Sequence, residues 1–89
     1  MARVLIYLTA ACPYCQSAQR LLEEKGVTAI DKVRVDLEPV RRAEMMRRSG
    51  HTTVPQIWIG DRHVGGCDEL YALERAGELD ALLLETERT

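Results

Sequence analysis

The chain has 89 residues, 46% of them hydrophobic and 29% charged, and its formal net charge is −2 at pH 7. These values fit one small domain over residues 1–89 and exclude a disordered chain. The slightly acidic balance argues against a nucleic-acid partner, and no apolar stretch approaches the roughly 20 residues of a membrane-spanning helix.

Strands and helices alternate along the chain. Apolar runs and period-two alternation predict the strands. A proline at the start or a glycine after the end marks the limits of the helices. The turn Gly60-Asp61 predicts a two-residue hairpin between the last two strands. In chain order we predict strand 3–8, a helix from Pro13 to a stop at Gly26, strand 33–36, a helix from Pro39 to Gly50, strands 56–59 and 62–64, a helix from about Asp68 to Arg75, and a last helix carrying Leu79, Leu82 and Leu83.

The second predicted helix has an apolar side. Helical spacing places Val40, Ala43 and Met46 together, and one of the adjacent Met45 and Met46 is expected to pack inward. Its basic residues are interrupted by Glu44 and have no aromatic partners, which favours a solvated face over a nucleic-acid site: Arg41, Arg42, Arg47 and Arg48. Trp58 and Tyr71 are expected in core or half-buried positions.

Cys12 and Cys15 stand one helical turn apart in Cys12-Pro13-Tyr14-Cys15, directly after the first predicted strand. A Cys-x-x-Cys that opens a helix after a strand is typical of a redox-active dithiol. Cys12 would lie at the helix N-terminus, where unpaired amides and the helix dipole favour a thiolate. Cys15 would lie one turn deeper and be more shielded. We therefore predict Cys12 as the nucleophile and Cys15 as the resolving thiol.

Two other uses of a cysteine pair compete with the redox interpretation. A zinc site needs two more ligands, and Cys67, His51 and His63 are scattered without a second close pair. A structural disulfide is typical of secreted, cysteine-dense domains, whereas this chain has three cysteines and no recognisable signal peptide. We therefore expect a redox dithiol, no metal, and a reducing cytoplasmic location.

Three motifs in order along the chain resemble the glutaredoxins, in particular the short bacterial dithiol members. They are Cys12-Pro13-Tyr14-Cys15, Thr53-Val54-Pro55 before the third strand, and Gly65-Gly66-Cys67-Asp68 after the fourth. The element order agrees with this resemblance. It implies a thioredoxin-like α/β fold, βαβαββα with a C-terminal helix, around a central four-stranded mixed sheet.

The resemblance also implies glutathione as co-substrate, with Cys12 and Cys15 reducing protein disulfides and glutathionyl mixed disulfides. Thr53-Val54-Pro55 would be a cis-proline loop whose main chain at Val54 pairs with a bound peptide like an added strand. Gly65 to Asp68 would hold the γ-glutamyl end at a helix N-terminus. The implied glutathione-binding residues are Tyr14, His51, Thr53, Val54, Pro55, Gly66, Cys67 and Asp68.

Two positions depart from the family pattern. Thr9 stands where close relatives usually carry a lysine, and His51 where they often carry arginine or glutamine. Both family residues help to hold the glycine carboxylate of glutathione. Gln16 or the pair Arg47-Arg48 could compensate in part.

Two alternative functions stay open. The first is a thioredoxin-like electron donor to ribonucleotide reductase, fed by a flavoprotein reductase; the Gly65–Asp68 motif argues for glutathione instead, but Thr9 and His51 keep this alternative open. The second is a carrier in which two chains and two glutathiones share an iron–sulfur cluster through Cys12; Pro13 counts against it. The expected partners are glutathione and disulfide-containing or glutathionylated proteins, and the expected state is a monomer away from membranes.

Overall fold

The computed structural model describes residues 2–85 of the chain, so the predicted domain ends at residues 1 and 89 lie outside the described part. Four strands and four helices follow the predicted order. Their bounds are β1 Val4–Leu8, α1 Pro13–Glu24, β2 Ile30–Arg34, α2 Pro39–Ser49, β3 Gln56–Ile59, β4 Arg62–Gly65, α3 Cys67–Arg75 and α4 Leu79–Glu85.

The strands form one four-stranded mixed sheet in the order β2-β1-β3-β4. Strands β1 and β2 run parallel and are joined through α1, whereas β3 is antiparallel to both β1 and β4. The two-residue turn at Gly60 and Asp61 connects β3 to β4, as predicted. The predicted mixed sheet and element order are therefore confirmed.

Helices cover both faces of the sheet. Alternate β1 residues such as Val4 and Ile6 pack in the larger core with α1, α3 and α4. On the opposite face Tyr7 packs with Met45 of α2 and Trp58 of β3. Strand β1 is therefore buried on both faces, and Trp58 and Tyr71 are buried and half-buried as expected.

The predicted apolar side of α2 was wrong. Val40 is 80% exposed and Met46 41% exposed, whereas Met45 is fully buried. The inward face instead carries Met45 together with the arginines at 41 and 48, whose guanidinium groups lie 6.0 Å from the ring centre of Tyr7 and 4.5 Å from that of Trp58 respectively. Long arginine side chains can cover aromatic surface while their charge stays near solvent. The polar side of α2, rather than its apolar side, therefore packs against the sheet.

Strand β2 begins three residues earlier than predicted. Its pairing with β1 starts at Ile30 opposite Val4 and includes the exposed Asp31 and Lys32. As the edge strand it needs no apolar alternation there, and exposed charges protect such an edge from pairing with other chains. Backbone pairing, rather than side-chain pattern, sets where this strand starts.

Within residues 2–85, no helix combines the length and apolar character needed to cross a bilayer.

Candidate active site

Cys12 occupies the N-cap of α1, with Pro13 in the first turn. Its backbone is extended, at φ −123° and ψ 104°, so the side chain turns back over the helix end. The amide N–H of Cys15 donates a hydrogen bond to Cys12 Sγ at 3.2 Å. Cys12 Sγ therefore lies at the helix N-terminus and accepts one of its first-turn amides, in the position predicted for the nucleophile.

Cys15 lies one turn further along α1 and is fully buried. Burial raises the pKa of the Cys15 thiol to about 12, and the hydrogen bond with the Cys12 side chain acts in the same direction. The buried Cys15 thiol therefore keeps its proton at neutral pH. The predicted difference in shielding between the two thiols is present in the structure.

The loop before β3 lies against the dithiol. The Val54-Pro55 peptide bond is cis, as the resemblance implied. The carbonyl oxygen of Val54 is 3.9 Å from Cys12 Sγ, which can donate to it when protonated. This loop therefore forms one wall beside the N-terminal sulfur.

An open cleft of about 460 Å³ lies next to these groups. It brings together all eight residues predicted to bind glutathione, from three separate segments of the chain. Two further residues were not predicted. The lining is Tyr14, His51, Thr53, Val54, Pro55, Gln56, Gly66, Cys67, Asp68 and Glu69.

The start of α3 forms the second wall of the cleft. Gly66 is the N-cap, and its amide donates to the carboxylate Oε1 of Glu69 at 2.7 Å. This is the backward half of a capping box, and an acidic residue three positions after a helix start was the signal for it. Glu69 takes the Gly66 amide, and the first-turn amides of Cys67, Asp68 and Glu69 have no intrahelical acceptor.

Cys67, the third thiol, is 8% exposed at the start of α3. Burial raises its pKa, and the charges of Asp68, Cys12 and Glu69 act in the same direction. It lines the cleft as a neutral thiol.

Gln56 is the other lining residue that the sequence did not single out. It is 3% exposed, and its Nε2 donates to the carbonyl oxygen of Thr53 at 3.1 Å. The available signal was a glutamine at the head of the apolar strand Gln56–Ile59, since a buried amide needs hydrogen-bond partners.

The two positions that depart from the family pattern lie in different surroundings. His51 is exposed on the cleft rim, with its ring centre 6.4 Å from that of His63. Thr9 is half-buried just after β1 and presents no cation. The cleft therefore holds a histidine at the rim but no lysine before Cys12.

A dithiol at a helix N-terminus, facing a cis-proline loop on a four-stranded mixed sheet, defines a thioredoxin-like redox protein. The glutaredoxin family model matches residues 4–64. The chain therefore belongs to the glutaredoxin family, whose members are thiol–disulfide oxidoreductases.

Three similar proteins illustrate the match. A glutaredoxin of Pseudomonas aeruginosa is 60% identical over 83 residues, which cover 93% of this chain and 98% of that protein. The solution structure of a Brucella melitensis glutaredoxin is 52% identical with a TM-score of 0.81, covering 93% of this chain and 89% of that one. The crystal structure of the buckwheat glutaredoxin–glutathione complex is 27% identical with a TM-score of 0.88, covering 97% and 80%.

Proposed function

We propose that this protein is a glutathione-dependent oxidoreductase that reduces glutathionyl mixed disulfides and protein disulfides through Cys12 and Cys15. The observation that carries the proposal is the cleft itself, which adjoins Cys12 and is lined by all eight residues proposed to bind glutathione. The buckwheat glutaredoxin, which shares the fold, forms a complex with glutathione.

In the proposed complex the tripeptide lies between the two walls of the cleft. The main chain of Val54 pairs with it like an added strand. Its γ-glutamyl carboxylate meets the first-turn amides at residues 67 and 68, where a helix N-terminus favours an anion. Tyr14, 65% exposed, covers the outer side, and His51 at the rim binds the glycine carboxylate.

Deglutathionylation needs only the outer thiol. The Cys12 thiolate attacks the glutathionyl sulfur of a mixed disulfide, so that a new S–S bond forms and the substrate sulfur leaves as a thiolate that takes a proton. A second glutathione thiolate then attacks the glutathionyl sulfur on Cys12. Oxidised glutathione leaves and the Cys12 thiolate is regenerated.

Reduction of a protein disulfide needs both thiols. Cys12 attacks one sulfur of the disulfide, and the other leaves as a thiolate. Cys15 then attacks Cys12 Sγ, the substrate sulfur departs, and the proton that Cys15 held can pass to that departing thiolate. Two glutathiones reduce the Cys12–Cys15 bond and form oxidised glutathione.

The proposed partners are glutathione and glutathionylated or disulfide-containing proteins, with ribonucleotide reductase as one candidate substrate. A dithiol that glutathione must regenerate works in a compartment that keeps thiols reduced, which favours the cytoplasm. We propose that the monomer acts there, without nucleic acid, membrane or bound metal.

The test is a coupled assay with NADPH, glutathione reductase, glutathione and a small glutathionylated disulfide. We expect NADPH oxidation to depend on the protein and to saturate with the disulfide. Turnover with a flavoprotein thioredoxin reductase but none with glutathione would contradict the proposal and favour the thioredoxin-like donor. Visible absorbance of protein purified without oxygen would point instead to the iron–sulfur carrier.

A further inference from the structure

The buried amide of Gln56 holds the loop that precedes it. Nε2 donates to the carbonyl oxygen of Thr53 at 3.1 Å and lies 3.4 Å from its hydroxyl oxygen. A carbonyl oxygen only accepts, so the contact with the Thr53 carbonyl needs the nitrogen end of the amide, and the oxygen end must point the other way. There, Oε1 of Gln56 lies 2.8 Å from Nε2 of His63.

The hydrogen bond defines the tautomer of His63. An amide oxygen can only accept, so the imidazole nitrogen that faces it carries the hydrogen, and Nδ1 of the neutral ring carries none. The ring also stacks on Trp58, with centres 4.4 Å apart and planes 30° apart. Hydrogen bond and stacking together leave the ring one orientation.

The charged and titratable groups around His63 favour its neutral form. Burial lowers the pKa of His63, and the nearby His51 and Arg48 act in the same direction, whereas Glu69 opposes them. The ring is therefore an uncharged donor to Gln56 at neutral pH.

Because Gln56 fixes the direction of the Thr53 carbonyl, it also fixes the direction of the next backbone amide, that of Val54. In a trans peptide the C=O and the following N–H point in opposite directions within one plane. The only cis bond among residues 2–85 is Val54-Pro55, so the Thr53-Val54 peptide is trans. With the Thr53 carbonyl directed at buried Gln56, the N–H of Val54 points away from Gln56.

We propose that Gln56 and His63 act as a pair of positioning residues that orient the Val54 amide for pairing with a γ-glutamyl peptide in the cleft. This role rests on the proposed glutathione dependence. His63 holds the Gln56 amide in the orientation that donates to Thr53. A flipped amide would set its oxygen against the Thr53 carbonyl oxygen.

The first test reads the tautomer in the unmodified protein. We expect the ¹⁵N chemical shifts of His63 at pH 7 to show a protonated Nε2 and an unprotonated Nδ1. In Gln56→Leu this preference should weaken because the acceptor is gone. A proton on Nδ1 with a bare Nε2 would overturn the pair, since Nε2 could then only accept.

The second test compares variants in the coupled assay. Gln56→Leu should raise KM for the glutathionylated disulfide about tenfold with kcat within about twofold, because ground-state binding is lost. His63→Phe keeps the stacked ring but removes the donor, and should raise KM in the same direction. His63→Gln, whose amide restores a donor at a similar reach, should recover most of the affinity.

Arg62→Gln is the matched control, because Arg62 is the exposed neighbour of His63 on β4 and does not line the cleft. The KM of the double variant Gln56→Leu/His63→Phe should stay within about twofold of the KM of Gln56→Leu, since the two residues act as a unit. Equal KM values for His63→Phe, His63→Gln and Arg62→Gln would overturn the positioning role.

The two proposals fail in different ways. A wild-type protein without glutathione-dependent turnover would overturn the proposed function and the positioning role with it. Normal turnover combined with the wrong tautomer, or with unchanged KM in Gln56→Leu, would overturn the positioning pair alone.

Discussion

At the scale of single residues, the two active-site sulfurs are distinguished by what surrounds them. Both are buried, with exposed fractions of 9% for Cys12 and 0% for Cys15. Cys12 Sγ receives an amide hydrogen at a helix end, whereas Cys15 has lost its solvent and its pKa is raised to about 12. The difference in chemistry follows from one helical turn of displacement.

Serine substitutions test this assignment. Cys12→Ser should lose at least about a hundredfold of deglutathionylation, because the nucleophile is gone. Cys15→Ser should stay within about threefold, because that route never uses Cys15. Initial rates in the coupled assay give the comparison, and circular dichroism checks that both variants fold. Similar losses in the two single variants would contradict the division of roles.

The raised pKa of Cys15 also predicts how stability depends on pH. Between pH 9.0, the ordinary pKa of a cysteine thiol, and about pH 12, the folded protein keeps a proton that the unfolded chain loses. The free energy of unfolding should therefore fall as pH rises through this window. Urea denaturation of the reduced protein from pH 8 to 10.5 measures it, with Cys15→Ser as the comparison. An equally steep decline in Cys15→Ser would place the effect elsewhere.

At the scale of elements, α2 shows how a neighbouring layer overrides an apolar pattern. Val40, Ala43 and Met46 have helical spacing, yet all three are exposed. The opposite stripe packs because Tyr7 and Trp58 offer aromatic surface to arginines, and because Glu44 accepts a hydrogen bond from the Tyr7 hydroxyl. No feature within α2 itself reveals that aromatic layer.

The adjacent methionines of α2 allow a direct test. Met45 is fully buried against Tyr7, Val33 and Trp58, so Met45→Ala should lower the free energy of unfolding by about 2–4 kcal/mol. Met46 is 41% exposed, and Met46→Ala should change the free energy of unfolding by less than about 0.5 kcal/mol. Urea denaturation of both variants measures the difference. Equal losses would mean that α2 is rotated from the described orientation.

At the scale of the whole molecule, the predictable features were those encoded locally. Proline starts at Pro13 and Pro39 and the stop at Gly50 mark helix ends within a few residues of sequence. The Cys12–Cys15 spacing likewise depends on helix geometry alone. The start of β2 depends on its register with β1, and the role of Gln56 depends on His63, which lies on the neighbouring strand β4. Those features needed the tertiary structure.

The cleft joins distant segments of the chain, and added volume at Gly65 would disturb its α3 wall. Its φ is +116°, and a Cβ there would lie 2.8 Å from Oε1 of Glu69. Glu69 would have to move, and its hydrogen bond to the Gly66 amide at 2.7 Å would be lost. Gly65→Ala should therefore disturb the α3 end of the cleft as well as strain the backbone.

Gly77 supplies the matched control, because it also has a positive φ, +73°, but a Cβ there meets nothing within 4 Å. Gly77→Ala should cost about 1–2 kcal/mol of unfolding free energy and leave KM unchanged. Gly65→Ala should cost at least as much and also raise KM severalfold, because the first turn of α3 loses its capping carboxylate. Urea denaturation and the coupled assay measure the two effects separately. A Gly65→Ala protein with reduced stability but unchanged KM would show that the start of α3 does not contribute to substrate binding.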